Sequence, residues 1–198
     1  MKKILLSICL LPFAAMAQNI TFETQNYKAI GVYDTWEESP FRTGKLEGNV
    51  GITANPKKQG NESCMVLGFQ RSRYGSNTFG ARIDFQKPFS LSPEGKYVHV
   101  MINKPMEGRV MLVGLGKRHD RLGQSNEAEQ FWVYSTSKVT PGEWVDAVFP
   151  IKSAPGVDIY SVVVVPDAES THNLKEDAIA YIDNILVDNS DAPRLKTP

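Results

Sequence analysis

The most constraining stretch of this 198-residue sequence lies near its C-terminus: Ala180-Tyr181-Ile182-Asp183-Asn184-Ile185-Leu186-Val187. Its β-branched and aromatic residues predict a strand. Alternation places Tyr181, Asp183, Ile185 and Val187 on one face and Ile182, Asn184 and Leu186 on the other. Both faces are largely apolar, which predicts a central strand covered on both sides. Asp183 is the misfit, because a carboxylate taken out of water needs hydrogen bonds, a cation or the loss of its charge.

Upstream, short apolar runs alternate with turn residues. Strands are expected around Ile20–Glu23, Leu46–Ile52, Cys64–Phe69, Arg82–Phe85, Tyr97–Ile102, Val110–Leu115, Glu129–Tyr134, Trp144–Phe149 and Ser161–Val165. Between them stand Asn55–Ser63, Ser90–Gly95, Asn103–Gly108 and Thr140–Glu143, all dense in turn formers. Tyr27–Gly44 shows no clean period and reads as a long loop. No stretch has a helical apolar stripe, so the crossover helices of a parallel α/β fold are missing. The expectation is an all-β, jelly-roll β-sandwich of about ten short antiparallel strands.

The first 17 residues read as a cleavable export signal. Lys2 and Lys3 precede an apolar run from Ile4 to Phe13, and Ala15-Met16-Ala17 is a small-x-small cleavage site. The run is too short for a membrane helix, and no later stretch is long and apolar enough for one. The product is expected in the periplasm or outside the cell, with a single domain over 18–190 and a tail over 191–198. The chain carries 22 basic and 22 acidic side chains, so nothing draws it globally to nucleic acid. After cleavage Cys64 is the only cysteine, which excludes an intrachain disulfide and leaves a buried small hydrophobe as its expected role.

Several ordered pieces resemble the jelly-roll carbohydrate-binding modules, galactose-binding-domain-like in fold, of polysaccharide-degrading enzymes and secreted Bacteroidetes glycan-utilisation proteins. They are Phe22-Glu23, Asn55 through Ser63, Phe89-Ser90-Leu91-Ser92, Pro141-Gly142-Glu143-Trp144 and Tyr181-Ile182-Asp183-Asn184-Ile185. The resemblance implies one structural calcium between the first strand, an early loop and the last strand. The matching positions are Glu23, Asn55, Asn61 and Asp183. Calcium takes 6–8 oxygen ligands, so two acids and a turn rich in free carbonyls suit it. The alternative is that these acids are surface or hydrogen-bonded groups.

The same resemblance directs attention to loop aromatics that stack on sugar rings and to planar guanidinium groups. The candidates are Tyr33, Trp36, Arg71, Arg73, Tyr74, Arg118 and Trp132. Trp36 reads equally as an edge plug, Trp132 equally as core, and the arginines as solvated loop charges. Trp144 is expected to pack. If the basic loops around Arg73 and Arg118 share one side, the ligand is an anionic glycan.

Catalytic signals are few. His99, His119 and His172 have no metal-ligand spacing, and no nucleophile elbow or phosphate-cradling glycine loop occurs. The expected function is non-catalytic binding of a poly- or oligosaccharide. A jelly-roll hydrolase or lyase is the first alternative, and an envelope structural or adhesion protein the second.

Overall fold

The computed structural model describes residues 18–34, 50–73, 75–92, 94–118, 128–152, 156–169 and 174–195; the expected export signal lies outside them. Within these residues the chain forms eleven strands and no helix. They are β1 (Gln18–Ile20), β2 (Tyr27–Tyr33), β3 (Val50–Ala54), β4 (Met65–Arg71), β5 (Gly80–Ser90), β6 (Lys96–Asn103), β7 (Met111–Arg118), β8 (Ala128–Tyr134), β9 (Val145–Ile151), β10 (Val157–Val165) and β11 (Ala178–Asp188). All pairings are antiparallel. One sheet runs β3-β4-β11-β6-β9 with β1 also on β11, and the other runs β2-β5-β10-β7-β8. This is the jelly-roll β-sandwich expected from the turn spacing.

Alternate residues of the two sheets meet in one core. Leu67, Phe69, Val98, Val100, Ile102, Phe149 and Ile182 face Ile83, Phe85, Leu112, Val162 and Val164, all buried. Burying each such side chain stabilises the fold by about 1.5–3 kcal/mol. β10 is apolar on both faces because its other face is also covered. Val163 and Val165 pack there with Met111, Val113, Leu115, Ala168 and Tyr33.

β11 is central, as its two apolar faces require. Residues 178–182 pair with β4, residues 185–187 pair with β1, and β6 lies on the other side. Where β4 gives way to β1, the β6 pairing slips between Asp183 and Leu186. Asn184 there takes a φ of 45°, a left-handed conformation that asparagine tolerates better than most residues. Asp183 is fully buried at this junction.

Three expectations are corrected. Tyr27–Tyr33 is an edge strand and not part of a loop; a bulge between Tyr27 and Ala29 breaks the alternation that would have marked it. Cys64 is exposed, because it precedes β4 and only its backbone is fixed, bonded to Glu23 Oε1. The segment after β11 is no free tail over its described part. Leu195 joins Val66, Met101, Trp144 and Tyr181 on the outer face of the six-stranded sheet. Arg194 donates from its backbone and its guanidinium to Asp146, and again from its guanidinium to the Asn184 carbonyl. Buried His99 contacts Asp146 at 2.9 Å and the Ser190 carbonyl at 2.8 Å.

Candidate functional site

With its outer face crossed by this C-terminal strap, the six-stranded sheet leaves the outward face of the five-stranded sheet as the principal candidate surface, its centre buried at Met111, Val113, Leu115, Val163 and Val165 beneath Tyr33 and its open part lying along the β8 edge. Pairing registers align the residues that point out of it. Tyr33, Gly80, Val165, Met111 and Tyr134 lie near one end; Gly31, Arg82, Val163, Val113 and Trp132 come next; then follow Ala29, Asp84, Ser161, Leu115 and Glu129. β2 and β8 are the two edges, four strand spacings apart, which is about 19 Å across a flat sheet. Yet Tyr33 Oη on β2 donates to Glu129 Oε1 on β8 at 2.7 Å. Two side chains end to end do not reach that far, so the sheet is strongly curved and this face is concave.

The second carboxylate oxygen of Glu129 accepts a 3.0 Å hydrogen bond from Trp132 Nε1. One acid therefore fixes two aromatic side chains. The Trp132 ring remains 48% exposed, an apolar plate left open to solvent. On the floor, Arg82 Nε donates to Asp84 Oδ1 at 2.6 Å and its Nη2 to Ser161 Oγ at 3.0 Å. Farther along, Lys117 Nζ lies 5.8 Å from the centre of the Tyr160 ring. Aromatic plates beside a half-buried guanidinium and carboxylates offer what a sugar needs: an apolar face for ring C–H groups, with donors and acceptors for hydroxyls.

Of the expected ligand residues, the structure places Tyr33 and Trp132 on this face. Trp36 and Tyr74 lie outside the described residues. Arg71 is not in an exposed loop. It ends β4 fully buried, donating to the carbonyls of Ser72, Ser76 and Asp167 and lying 5.6 Å from the Phe79 ring. Burial lowers its guanidinium from its ordinary value, while Asp167 and Asp34 oppose that. Arg71 is a core ion, removed from any ligand by the side chains around it. Arg73 is exposed, and it holds Asp177 through its backbone and Lys175 through its guanidinium. Arg118 is exposed at the end of β7. Arg71 and Arg73 stand at the end of the sandwich where β7 begins, and Arg118 where β7 finishes, so Arg73 and Arg118 do not share an end; the rest of the second basic loop lies outside the described residues.

Of the candidate cation residues, Asn61 and Asp183 are in direct contact, and Asn55 bonds the Asn61 carbonyl. Asn61 Nδ2 donates to Asp183 Oδ2 at 2.9 Å. Glu23 Oε1 takes the backbone N–H groups of Cys64 and Met65. Asn55 bridges the carbonyls of Asn61 and Ser63 and thereby shapes the turn. Asp183 Oδ1 is buried without a hydrogen-bond partner, the situation a bound cation would relieve. Among the described residues no three His, Cys, Asp or Glu side chains gather closely enough for a metal. A cation at Asp183 would have to draw its other ligands from carbonyl oxygens of the turn, since the Asn55 and Asn61 amide oxygens already accept backbone N–H groups. Trp144 packs as expected, its Nε1 bonded to the Lys57 carbonyl of the same turn.

Arg82, Asp84, Glu129 and Ser161 were not singled out from the sequence. One signal was present: Arg82 and Asp84 flank the core residue Ile83, so both charges had to leave on the face opposite the core.

No protein-family model matches this sequence, and no curated protein matches it. Its fold is similar to solved structures. One is the CBM22-1–GH10 fragment of Clostridium thermocellum endo-1,4-β-D-xylanase 10B complexed with xylohexaose. That match has TM-score 0.56 and 12% identity, and covers 87% of this chain and 28% of that one. The CBM22-2 xylan-binding domain of Paenibacillus barcinonensis Xyn10C matches with TM-score 0.50 and 12% identity, over 87% of this chain and 99% of the domain. Endo-β-1,4-glucuronan lyase from the fungus Trichoderma reesei matches with TM-score 0.52 and 9% identity, over 92% and 99%. The chain thus has the jelly-roll fold of carbohydrate-binding modules, a fold that a polysaccharide lyase also carries. It spans under a third of the xylanase fragment and nearly the full length of the other two. Among the described residues no helix is long and apolar enough to cross a membrane.

Proposed function

We propose that this protein binds a poly- or oligosaccharide, without catalysis, on the concave face of its five-stranded sheet. The observation that carries the reading is the Tyr33–Glu129–Trp132 arrangement, in which a carboxylate holds two aromatic side chains at the wall of a curved sheet. The exposed Trp132 ring stacks on a sugar face, and Arg82, Asp84 and Glu129 exchange hydrogen bonds with hydroxyls. The N-terminal signal delivers the chain to the periplasm or beyond, and residues 18–190 act as one domain. A calcium ion, held by Asp183, Glu23 and oxygens of the Asn55–Asn61 turn, clasps the first strand to the last. Its part is structural and lies on the opposite sheet from the ligand.

A glycan array followed by calorimetry tests the binding reading. Trp132→Ala is expected to lose at least tenfold in affinity at unchanged melting temperature. No binding to any glycan by the unmodified protein overturns it.

One observation favours a second reading, a polysaccharide lyase. The phenol of Tyr33, hydrogen-bonded to a carboxylate on the face that also carries Arg82, has the chemistry to move a proton next to a neutralised uronate, and the glucuronan lyase shares the fold. Release of an ultraviolet-absorbing unsaturated product from glucuronan would establish that reading and displace the first.

A further inference from the structure

The exposed aromatic surface of β8 does not stop at the concave face. Trp132 and Tyr134, at 48% and 39% exposure, are two of the three exposed large hydrophobic residues in the described structure; Ile179, on the other sheet, is the third. They are separated by one residue on an edge strand and therefore point the same way. The Arg109 guanidinium lies 4.0 Å from the centre of the Tyr134 ring. Arg109 also forms a wall of a cavity of about 570 Å³ at the end of the sandwich, together with Glu107, Ser137, Lys138, Thr140 and Glu169.

Arg109 is unusually fixed for a side chain that is 57% exposed. Its backbone N–H and its Nε donate to Glu169 Oε1 at 3.0 and 3.1 Å. Its carbonyl accepts from Ala168 N at 3.0 Å, and the Tyr134 face supports its guanidinium plane. Exposed arginines ordinarily keep their rotamer freedom and lose it on binding. Here the ordering precedes any ligand, which is what preorganisation means. Hydrogen bonds from Arg109 hold the Glu169 carboxyl below its ordinary range, so the pair stays charged and oriented.

We propose that the ligand track continues from Trp132 over Tyr134 into this end cavity, where Arg109 and Lys138 recognise further residues of the same neutral polysaccharide chain. The proposal rests on the carbohydrate-binding reading and adds to it a length requirement and a ligand class. Charge decides the class. Arg109 and Lys138 are balanced by Glu107 and Glu169, so the cavity presents donors and acceptors in equal measure. That matches hydroxyl groups, which both donate and accept, and offers a uronate carboxylate no net attraction.

Calorimetry with trimers and hexamers of β-1,4-xylose, β-1,4-galactose and β-1,4-glucuronate tests this. At least one neutral hexamer is expected to bind ten times more tightly than its trimer, with little change between 50 and 500 mM salt. Arg109→Ala and Lys138→Ala should each reduce hexamer affinity about fivefold and leave the trimer unchanged. Trp132→Ala should weaken both. Binding that depends on Trp132 but keeps its hexamer-to-trimer ratio in both cavity variants overturns the extended track alone. Salt-sensitive binding of glucuronate only overturns the neutral class. Failure to bind any of the six oligosaccharides overturns the extended track, and absence of binding across the whole glycan array overturns the reading on which it rests.

Discussion

Tyr33 and Glu129 stand on opposite edges of one five-stranded sheet and share a 2.7 Å hydrogen bond. The bond ties the curvature of the sheet to the position of Trp132, because the same carboxylate holds the indole N–H. Glu129→Ala removes both restraints. Sugar affinity is expected to fall about 5–20-fold, with the melting temperature lowered by no more than about 4 °C, since exposed hydrogen bonds contribute about 1 kcal/mol. Tyr33→Phe removes one restraint and should cost less than Glu129→Ala. Titration calorimetry beside thermal denaturation separates the two effects. An unchanged affinity in Glu129→Ala would remove Trp132 from the site.

Calcium proposed at Asp183 carries a stability prediction. An ion bound to the folded form alone at a hundred times its dissociation constant stabilises by about 2.7 kcal/mol, or roughly 5–10 °C in a domain of this size. Chelation should reverse the gain in the native protein. In Asp183→Ala neither calcium nor chelator should move the transition. The same melting temperature in calcium and in chelator for the native protein would leave Asp183 a buried acid held by Asn61 and Asn184 through Oδ2 alone.

The strap predicts an acid-labile tie. Burial pushes the Asp146 carboxyl up, but the side-chain and backbone hydrogen bonds from Arg194, its charge and the bond to His99 outweigh burial and hold it below its ordinary 3.8. A depressed folded-state value means the unfolded chain binds the proton first. The stabilisation is therefore complete above about pH 4 and is lost as pH falls through the folded value. Arg194→Ala leaves a fully buried carboxylate without its cation and should destabilise by about 2–4 kcal/mol. Hydrogen exchange should show the strap opening in that variant at neutral pH. Protection equal to the native protein would assign the strap to Leu195 packing instead.

Lys104 works in the opposite direction. It is fully buried, and burial lowers its amine to about 8 despite Asp167, Glu169 and Glu107 nearby. Below pH 8 the folded chain carries a charge it would keep more cheaply unfolded. Stability should rise as pH climbs from about 8 toward the ordinary value of 10.5. Lys104→Met should abolish that rise in chemical denaturation curves taken between pH 7 and 10. A rise that persists in the variant would trace to another group.

What the sequence made legible depended on distance along the chain. Alternation marked β5, and apolar or β-branched runs between turn residues marked β6, β7 and β11, because both signals are local. Asp183 was recognisable as a misfit for the same reason, and the resemblance brought Glu23 and Asn61 to it. β2 was hidden because one bulged residue breaks its period. Arg71 read as an exposed loop charge, since its burial, like that of Lys104, depends on carbonyls of loops that fold back over it. Glu129 could not be paired with Tyr33 from sequence at all. That contact spans 96 residues and exists only because the sheet curves.

β11 also bears on how this protein is made. It is the element through which β1, β4 and β6 join one sheet, and those strands come from positions 18, 65 and 96 onward. Until residues 178–188 have been synthesised, the β3-β4 hairpin and the β6-β9 pair have no strand between them. Pairings over such separations form slowly. The six-stranded sheet can close only once residues 178–188 have been made, whereas the five-stranded sheet, whose last strand is β10, does not wait for them.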